Sequence, residues 1–266
     1  QNSDHGGKTS IEFFCEFCHI WKHSVICPRT FQEINATSAI SQSSKLVLYS
    51  FWQSSCSWRI RFALNLKGIP FEYRAVNLPK GEQFSPEFQR LNPLGYVPVL
   101  VDGDVVISES FAIVLMQFIR NIFHFQYLEE RYPEKVLLPS DPSRRALNFQ
   151  ISSIVCSSIQ PLHMNSLLNL LGEKYGSDDH LSWAQHHIEK GFDALETLLK
   201  SSARKFATGE TISMADVFLA PQIAVAATRF KVDMYKFPTL GRLYETYKAL
   251  PEFTASSPER QPDAQC

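Results

Sequence analysis

The chain has 266 residues, a formal net charge of −1, 44% hydrophobic and 20% charged residues. That length and balance suit a globular protein of one large domain or two smaller ones. They exclude a global pull toward nucleic acid or an anionic membrane surface, so an anionic substrate would need a local cluster of cations.

Residues 1–44 differ from the rest. They open on QNSDHGG, without the basic-then-apolar order of a secretory leader. They hold Cys15, Cys18 and Cys27, many Ser, Thr and Asn, and no sustained periodicity. Cys15-Glu16-Phe17-Cys18-His19, with His23 and Cys27 nearby, invites a zinc reading, but a closed site needs four ligands at a recognisable spacing. The segment reads instead as a disordered extension without a metal, and the sequon at Asn35-Ala36-Thr37 carries no weight in a cytoplasmic protein. With Cys56, Cys156 and Cys266 the cysteines number six, few and uneven for the length, and read as reduced thiols. No apolar run approaches the roughly 18–20 residues of a spanning helix, so no membrane segment is expected.

Order is expected from Lys45. Leu46, Val47, Leu48 and Tyr49 form a short apolar run, the mark of a buried strand. Ser54 or Ser55 can cap a helix after it, and Gly68 can end that helix. Trp58, Phe62 and Leu66 recur every four residues and predict one buried face. Phe71 to Val76 reads as a second strand, and Ser85 to Leu91 as a short helix stopping before Asn92-Pro93. Two apolar runs, Val97 to Leu100 and Val105 to Ile107, flank Asp102-Gly103-Asp104, which is a hairpin signal. Glu109-Ser110 then leads into a long apolar helix. The order β-α-β-α-β-β-α matches a thioredoxin-like domain over 45–133. In that fold Val97-Pro98 would be cis and would turn the Val97 backbone toward an extended peptide ligand.

Asp141-Pro142 reads as a linker. The stretch 142–254 reads as an all-helical domain, with helical apolar spacing at Leu167 to Tyr175, Leu181 to Leu199 and Ala215 to Phe230. Ahead of the last of these, Ser213 can cap, Asp216 can bond back, and Ile212 can pack on Val217. That motif stabilises a helix and does no chemistry. Residues 255–266 are polar and proline-containing and read as a flexible tail.

The chemistry is expected where the first strand meets its helix, at Ser54-Ser55-Cys56-Ser57-Trp58-Arg59. A helix N-terminus offers unpaired N–H groups and about half a positive charge, so it favours an anion. A thiolate is such an anion, and its pKa falls well below about 8.5 in these surroundings. Arg59 and Arg61 would add positive potential. The thiol could be Cys56 or that of a bound cofactor with serine as its donor. A dithiol oxidoreductase would need a second cysteine three positions on, where Arg59 stands. The plainer alternative is that Ser54 only caps the helix.

Residues 45–262 resemble zeta-class glutathione transferases, the maleylacetoacetate isomerases. The resemblance is carried by SSCSWRIRFALNLKGI (54–69), QFSPEFQRLNPLGYVPVL (83–100), DGDVVISES (102–110), YLEERYP (127–133), SIQPLH (158–163), ATGETISMADVFLAPQ (207–222), RFKVDMYKFPTL (229–240) and RQPDA (260–264). It implies an α+β two-domain fold, thioredoxin-like then all-helical, a homodimer, and glutathione as cofactor. It implies that Ser54 donates to the glutathione sulfur, with Ser55 and Cys56 beside it. Val97 would pair its backbone with the cysteinyl part, and Glu109 and Ser110 would hold the γ-glutamyl amine and carboxylate. Gln83 would reach the glycyl end, while Gln160, Asn165 and Ser166 would close the site. Arg59 and Arg229 would attract the substrate carboxylates, for which an arginine fork is suited. Several have a duller alternative: Gln83 as an exposed side chain, Ser110 as a helix cap, Arg229 as a surface charge; His163 reads as a pocket-wall or structural residue rather than a base.

The implied reaction is cis–trans isomerisation of maleylacetoacetate to fumarylacetoacetate in tyrosine and phenylalanine catabolism. Side transferase activity and dehalogenation of α-halo acids are also implied. Rival readings on the same fold are a general detoxifying transferase or peroxidase and a glutathione-binding protein that has lost turnover. The chain departs from the family pattern at Met116 to Gln126, MQFIRNIFHFQ, which lies between the apolar helix and YLEERYP. Eleven extra residues would turn a helix about three times and shift its far end by roughly 16 Å.

Overall fold

The computed structural model describes residues 45–114, 127–175 and 177–265. The cysteines and histidines of residues 15–27 and the segment 116–126 lie outside the described residues.

Four strands form one mixed sheet in the order β2-β1-β3-β4. They are β1 (Val47–Ser50), β2 (Glu72–Ala75), β3 (Val99–Asp102) and β4 (Val105–Ser108). β1 and β2 run parallel, joined through helix α1 (Ser55–Lys67); β3 pairs antiparallel with both β1 and β4. The Asp-Gly hairpin forms as expected, with Gly103 at φ 59°. α1 starts where Ser54 Oγ accepts the Ser57 N–H at 3.2 Å and stops at Gly68, φ 69°.

Trp58, Phe62 and Leu66 of α1 are buried, but so are Arg59, Arg61 and Lys67. The expectation of a single buried face is thus corrected. α1 shares a core with Leu48 and Leu100 of the sheet. It also packs against α3 (Ser110–Val114), α8 (Met214–Thr228) and α10 (Pro251–Ser256). A helix covered by a sheet and by other helices has no solvent face left for its cations. The other side of the sheet carries a smaller core of Phe51, Val76, Phe88 and Val97 with Val99; Phe88 comes from α2 (Pro86–Leu91).

After α4 (Tyr127–Arg131) the chain is clamped to the end of α1. Lys67 Nζ lies 2.7 Å from Glu129 Oε1, the two side chains 1% and 6% exposed. Lys67 also donates to the carbonyls of Tyr132 and Lys135, and Glu129 accepts the Leu137 and Leu138 N–H groups. A buried ion pair holds only when its remaining hydrogen bonds are made, as here.

Asp141-Pro142, expected as a linker, instead starts α5 (Pro142–Ser153). Asp141 Oδ1 accepts the Arg144 N–H at 2.8 Å, and Pro142 sits at the first helical position, where its missing N–H costs nothing. Beyond it come α6 (Asn165–Tyr175), α7 (Ser177–Ser202), α8 and α9 (Pro238–Lys248), with α10 last. The capping box of α8 forms as expected. Its Asp216 is fully buried and also accepts the Ala207 N–H at 2.8 Å and the Tyr247 hydroxyl at 2.6 Å. Burial still pushes the Asp216 carboxyl up.

The flexible tail is a third correction. Residues beyond α10 form two short 3-10 turns, Pro258–Arg260 and Pro262–Gln265, and Gln261 is buried. Polar composition misleads here because the bonds that hold the segment reach residues some 190–211 positions away. Among the described residues no helix is long and apolar enough to cross a membrane.

Candidate functional site

Turns from the sheet and segments of the helical layer converge on one cavity of about 950 Å³, in the upper part of the roughly 300–1,000 Å³ range of small-molecule sites. Ser54, Ser55 and Cys56 line it from the start of α1. Ser54 Oγ uses a lone pair to accept the Ser57 N–H, which leaves the hydroxyl proton free to donate. Cys56 is a half-buried free thiol.

Arg59 forms the floor and is 1% exposed. Its Nη1 donates to Ser110 Oγ and to Cys156 Sγ, each at 3.2 Å, and its Cζ sits 5.2 Å from the Phe218 ring centre. Nε and Nη2 have no hydrogen-bond partner among the described residues. A buried cation with two idle donors is costly unless an anion completes it. Arg61, expected to add to this potential, does not line the cavity. Residues two apart on an α-helix point about 200° from each other, so Arg61 is aimed elsewhere. It donates instead to Ser50 Oγ and to the carbonyls of Phe51, Trp52 and Ser256. Burial pulls its pKa down to about 10, so it stays charged at neutral pH.

From the β4–α3 turn come Glu109 and Ser110. Glu109 holds φ 73°, a backbone region that non-glycine residues seldom occupy and that clusters at binding sites. Ser110 is the first residue of α3 rather than the one before it, and its oxygen accepts from Arg59. The cap alternative for Ser110 therefore fails. The Val97-Pro98 peptide is cis, and Val97 lines the cavity beside β3. Gln83 lines it from a 3-10 turn, Glu82–Phe84, and its Oε1 is buried without a partner among the described residues.

The helical wall owes its shape to an irregularity that no sequence period signals. α5 runs into a π-helical segment, Ile154–Ile159, and then a 3-10 turn, Gln160–His163. π segments favour functional sites because the extra residue re-aims the side chains around it. Cys156, Gln160 and His163 all border the cavity. Close passage of α7 is allowed by Gly191, where a Cβ would stand 2.3 Å from Ile159 Cγ1. Burial pushes the Cys156 thiol up to about 11, so it stays protonated. Burial also pushes His163 down to about 4, so its ring, 3.2 Å from Gln222 Oε1, is neutral at pH 7. Buried, and so made a weaker base than a free imidazole, His163 suits the cavity wall rather than proton abstraction. In the sequence Cys156 is only one more reduced thiol; its contact with Arg59 spans 97 positions and leaves no local mark.

Asn165 and Ser166 begin α6 at the exposed rim. Asn165 Oδ1 accepts from Arg229 Nη2 at 2.8 Å, and Arg229 comes directly after the last residue of α8. All twelve residues expected from the sequence thus border one space, and only Arg61 among the cations named with them does not. Among the described residues no cluster of His, Cys, Asp and Glu is arranged to hold a metal ion.

The family model for the glutathione S-transferase N-terminal domain matches residues 53–116, and that for the C-terminal domain matches residues 178–255. A zeta-class glutathione S-transferase of Euphorbia esula is 54% identical over 83% of this chain and 93% of its own. Maleylacetoacetate isomerase of Rattus norvegicus is 46% identical over 84% of this chain and 96% of its own. The crystal structure of maleylacetoacetate isomerase from Anaeromyxobacter dehalogenans with bound GSH superposes with a TM-score of 0.73. It is 40% identical and covers 84% of this chain and 100% of that one. Sheet order, two-domain build and these similarities agree: the chain belongs to the glutathione S-transferase family, in its zeta class.

Proposed function

We propose that the protein isomerises maleylacetoacetate to fumarylacetoacetate, with glutathione as a cofactor that is regenerated, in tyrosine and phenylalanine catabolism. The residues fit that cofactor. Arg59 brings two partnerless buried donors, Gln83 a partnerless oxygen, and α1 its N–H-rich first turn, all around one cavity. When bound, glutathione supplies a thiolate that adds to the activated double bond, lets it rotate as a single bond, and leaves.

The chain's own part is to hold and polarise. Ser54 donates its free hydroxyl proton toward the sulfur, while Ser55 and Cys56 crowd the same helix end, whose dipole favours negative charge. Glu109 and Ser110 take the γ-glutamyl amine and carboxylate, and Arg59 adds charge behind Ser110. The Val97 backbone pairs with the cysteinyl unit, and Gln83 takes the glycyl end. Gln160, Asn165 and Ser166 close the helical side. Arg229 at the rim and the positive charge of Arg59 draw the substrate carboxylates and offset negative charge that grows on the reacting carbon skeleton. The same arrangement supports displacement of halide from small α-halo acids. We further propose a cytoplasmic homodimer, on the family resemblance and the unpaired thiols Cys56 and Cys156.

One observation carries the proposal: the residues singled out along 175 positions of sequence, from Ser54 to Arg229, share one cavity. The test uses the purified full chain with glutathione. Fast isomerisation and slow conjugation of a general electrophile support it. Fast conjugation with negligible isomerisation replaces it by a detoxifying transferase, and retention on glutathione resin with neither activity replaces it by a binding protein.

A further inference from the structure

Ser54 is placed by the four-residue turn Phe51–Ser54, whose internal bond is the Ser54 N–H to the Phe51 carbonyl at 3.0 Å. Three further bonds reach that turn's backbone from side chains outside it. Arg61 Nη1 and Nη2 donate to the Phe51 and Trp52 carbonyls at 3.3 and 3.0 Å. Asp263 Oδ2 accepts the Trp52 N–H at 3.1 Å. Its other oxygen, Oδ1, accepts the hydroxyl of Tyr73 on β2 at 2.6 Å. Arg61 in turn is fixed by the Ser256 carbonyl at 3.0 Å, and Ser256 Oγ accepts the Trp58 indole N–H at 2.9 Å. Gln261 ties its own segment together by donating to the Ala255 and Ser257 carbonyls. The C-terminal segment thus joins β2, α1 and the turn ahead of Ser54 into one bonded ring.

We infer that Asp263 is a positioning residue: the C-terminal segment is a clasp that sets the turn presenting the Ser54 hydroxyl to the bound sulfur. The inference rests on the role proposed for Ser54. Asp263 does not line the cavity. Its carboxylate accepts from two donors on different elements, the Trp52 N–H and the Tyr73 hydroxyl. An amide keeps an acceptor for the Trp52 N–H and can donate to the Tyr73 hydroxyl oxygen, so Asp263→Asn removes the charge whereas Asp263→Ala removes both bonds. Losing a hydrogen bond to a charged acceptor frees the turn by about tenfold or more in local opening.

The test compares the full chain with Asp263→Ala, Asp263→Asn and Tyr73→Phe. Amide hydrogen exchange over residues 50–57 is measured on the protein without glutathione. Thiolate absorbance of bound glutathione is then titrated against pH. The expected result is exchange about tenfold faster in that turn for Asp263→Ala, less for Tyr73→Phe, with the thiol titrating at higher pH. Unchanged exchange overturns the clasp. Faster exchange with an unmoved thiol titration overturns the positioning role and leaves a structural anchor. A wild-type chain that gives no thiolate signal instead sinks the function proposed for the site, so the two failures are distinct. Should Asp263→Ala fail to fold, Asp263→Asn is judged by the same two readouts, with a few-fold change expected because the Trp52 N–H then meets a neutral acceptor instead of a charged one.

Discussion

Ser54→Ala removes one oxygen that serves the helix through its lone pair and the sulfur through its proton. The helix loses the bond from the Ser57 N–H, 3.2 Å long. An N-cap of this kind is worth ~1 kcal/mol, or about 2–4 °C in Tm at this chain length. The loss at the sulfur is larger, since a hydrogen bond to a charged group contributes about 1.5–3 kcal/mol. At about 1.4 kcal/mol per pKa unit, the bound thiol should titrate about 1–2 units higher. A raised pKa leaves less thiolate at a fixed pH, so turnover near neutrality falls by up to about 10–100-fold and recovers as the pH rises. Initial rates and thiolate absorbance against pH, with Tm by calorimetry, separate the two losses. Ser54→Thr keeps both groups and should keep both properties. An alanine variant with a lower Tm but an unmoved thiol titration would reduce Ser54 to a cap and refute the reasoning.

Gly191→Ala should lower Tm, because its Cβ would meet Ile159 Cγ1 at 2.3 Å and overpacking costs about 1–3 kcal/mol. Ile159 also ends the π segment, so calorimetric glutathione affinity should weaken along with it. Lys67→Met leaves Glu129 buried without its cation, and urea denaturation should show a loss of about 3–5 kcal/mol; a wild-type midpoint would count against the clamp. His163 titrates near 4 when folded against an ordinary 6.5, so the unfolded chain binds the extra proton between those values. Its contribution to stability is therefore complete above about pH 6.5 and is lost as the pH falls toward 4. His163→Gln should flatten that part of the stability–pH curve in urea melts, and a parallel curve would contradict the assignment.

Much of the fold was legible because its signals act over a few residues. Ser54 and Gly68 bracket α1, Asp-Gly makes the hairpin, and Ser213 with Asp216 boxes the start of α8. Each is a cap or turn whose donor and acceptor lie within about four positions, so the pattern and the bond coincide. Asp141-Pro142 carries the same kind of signal yet suggests a linker, since proline opens a helix as readily as it breaks one. Among the residues that border the cavity, Ser54, Ser55, Cys56 and Arg59 stood out from the strand-to-helix junction itself, while the others were named by the motif resemblance, and none comes from periodicity alone.

What the sequence by itself determined was the order of the elements, most of their ends, and the set of polar residues brought to the first helix. What only the tertiary structure decided was which of those residues meet. Arg59 and Arg61 look alike in the string, yet one floors the cavity and the other braces a turn, because a helix aims neighbours two apart to opposite sides. The docked C-terminus, the Arg59–Cys156 contact and the π segment join residues that share no local pattern. Such contacts form only once the helical layer closes over the sheet, where burial makes each unpaired polar group costly and so selects its partner.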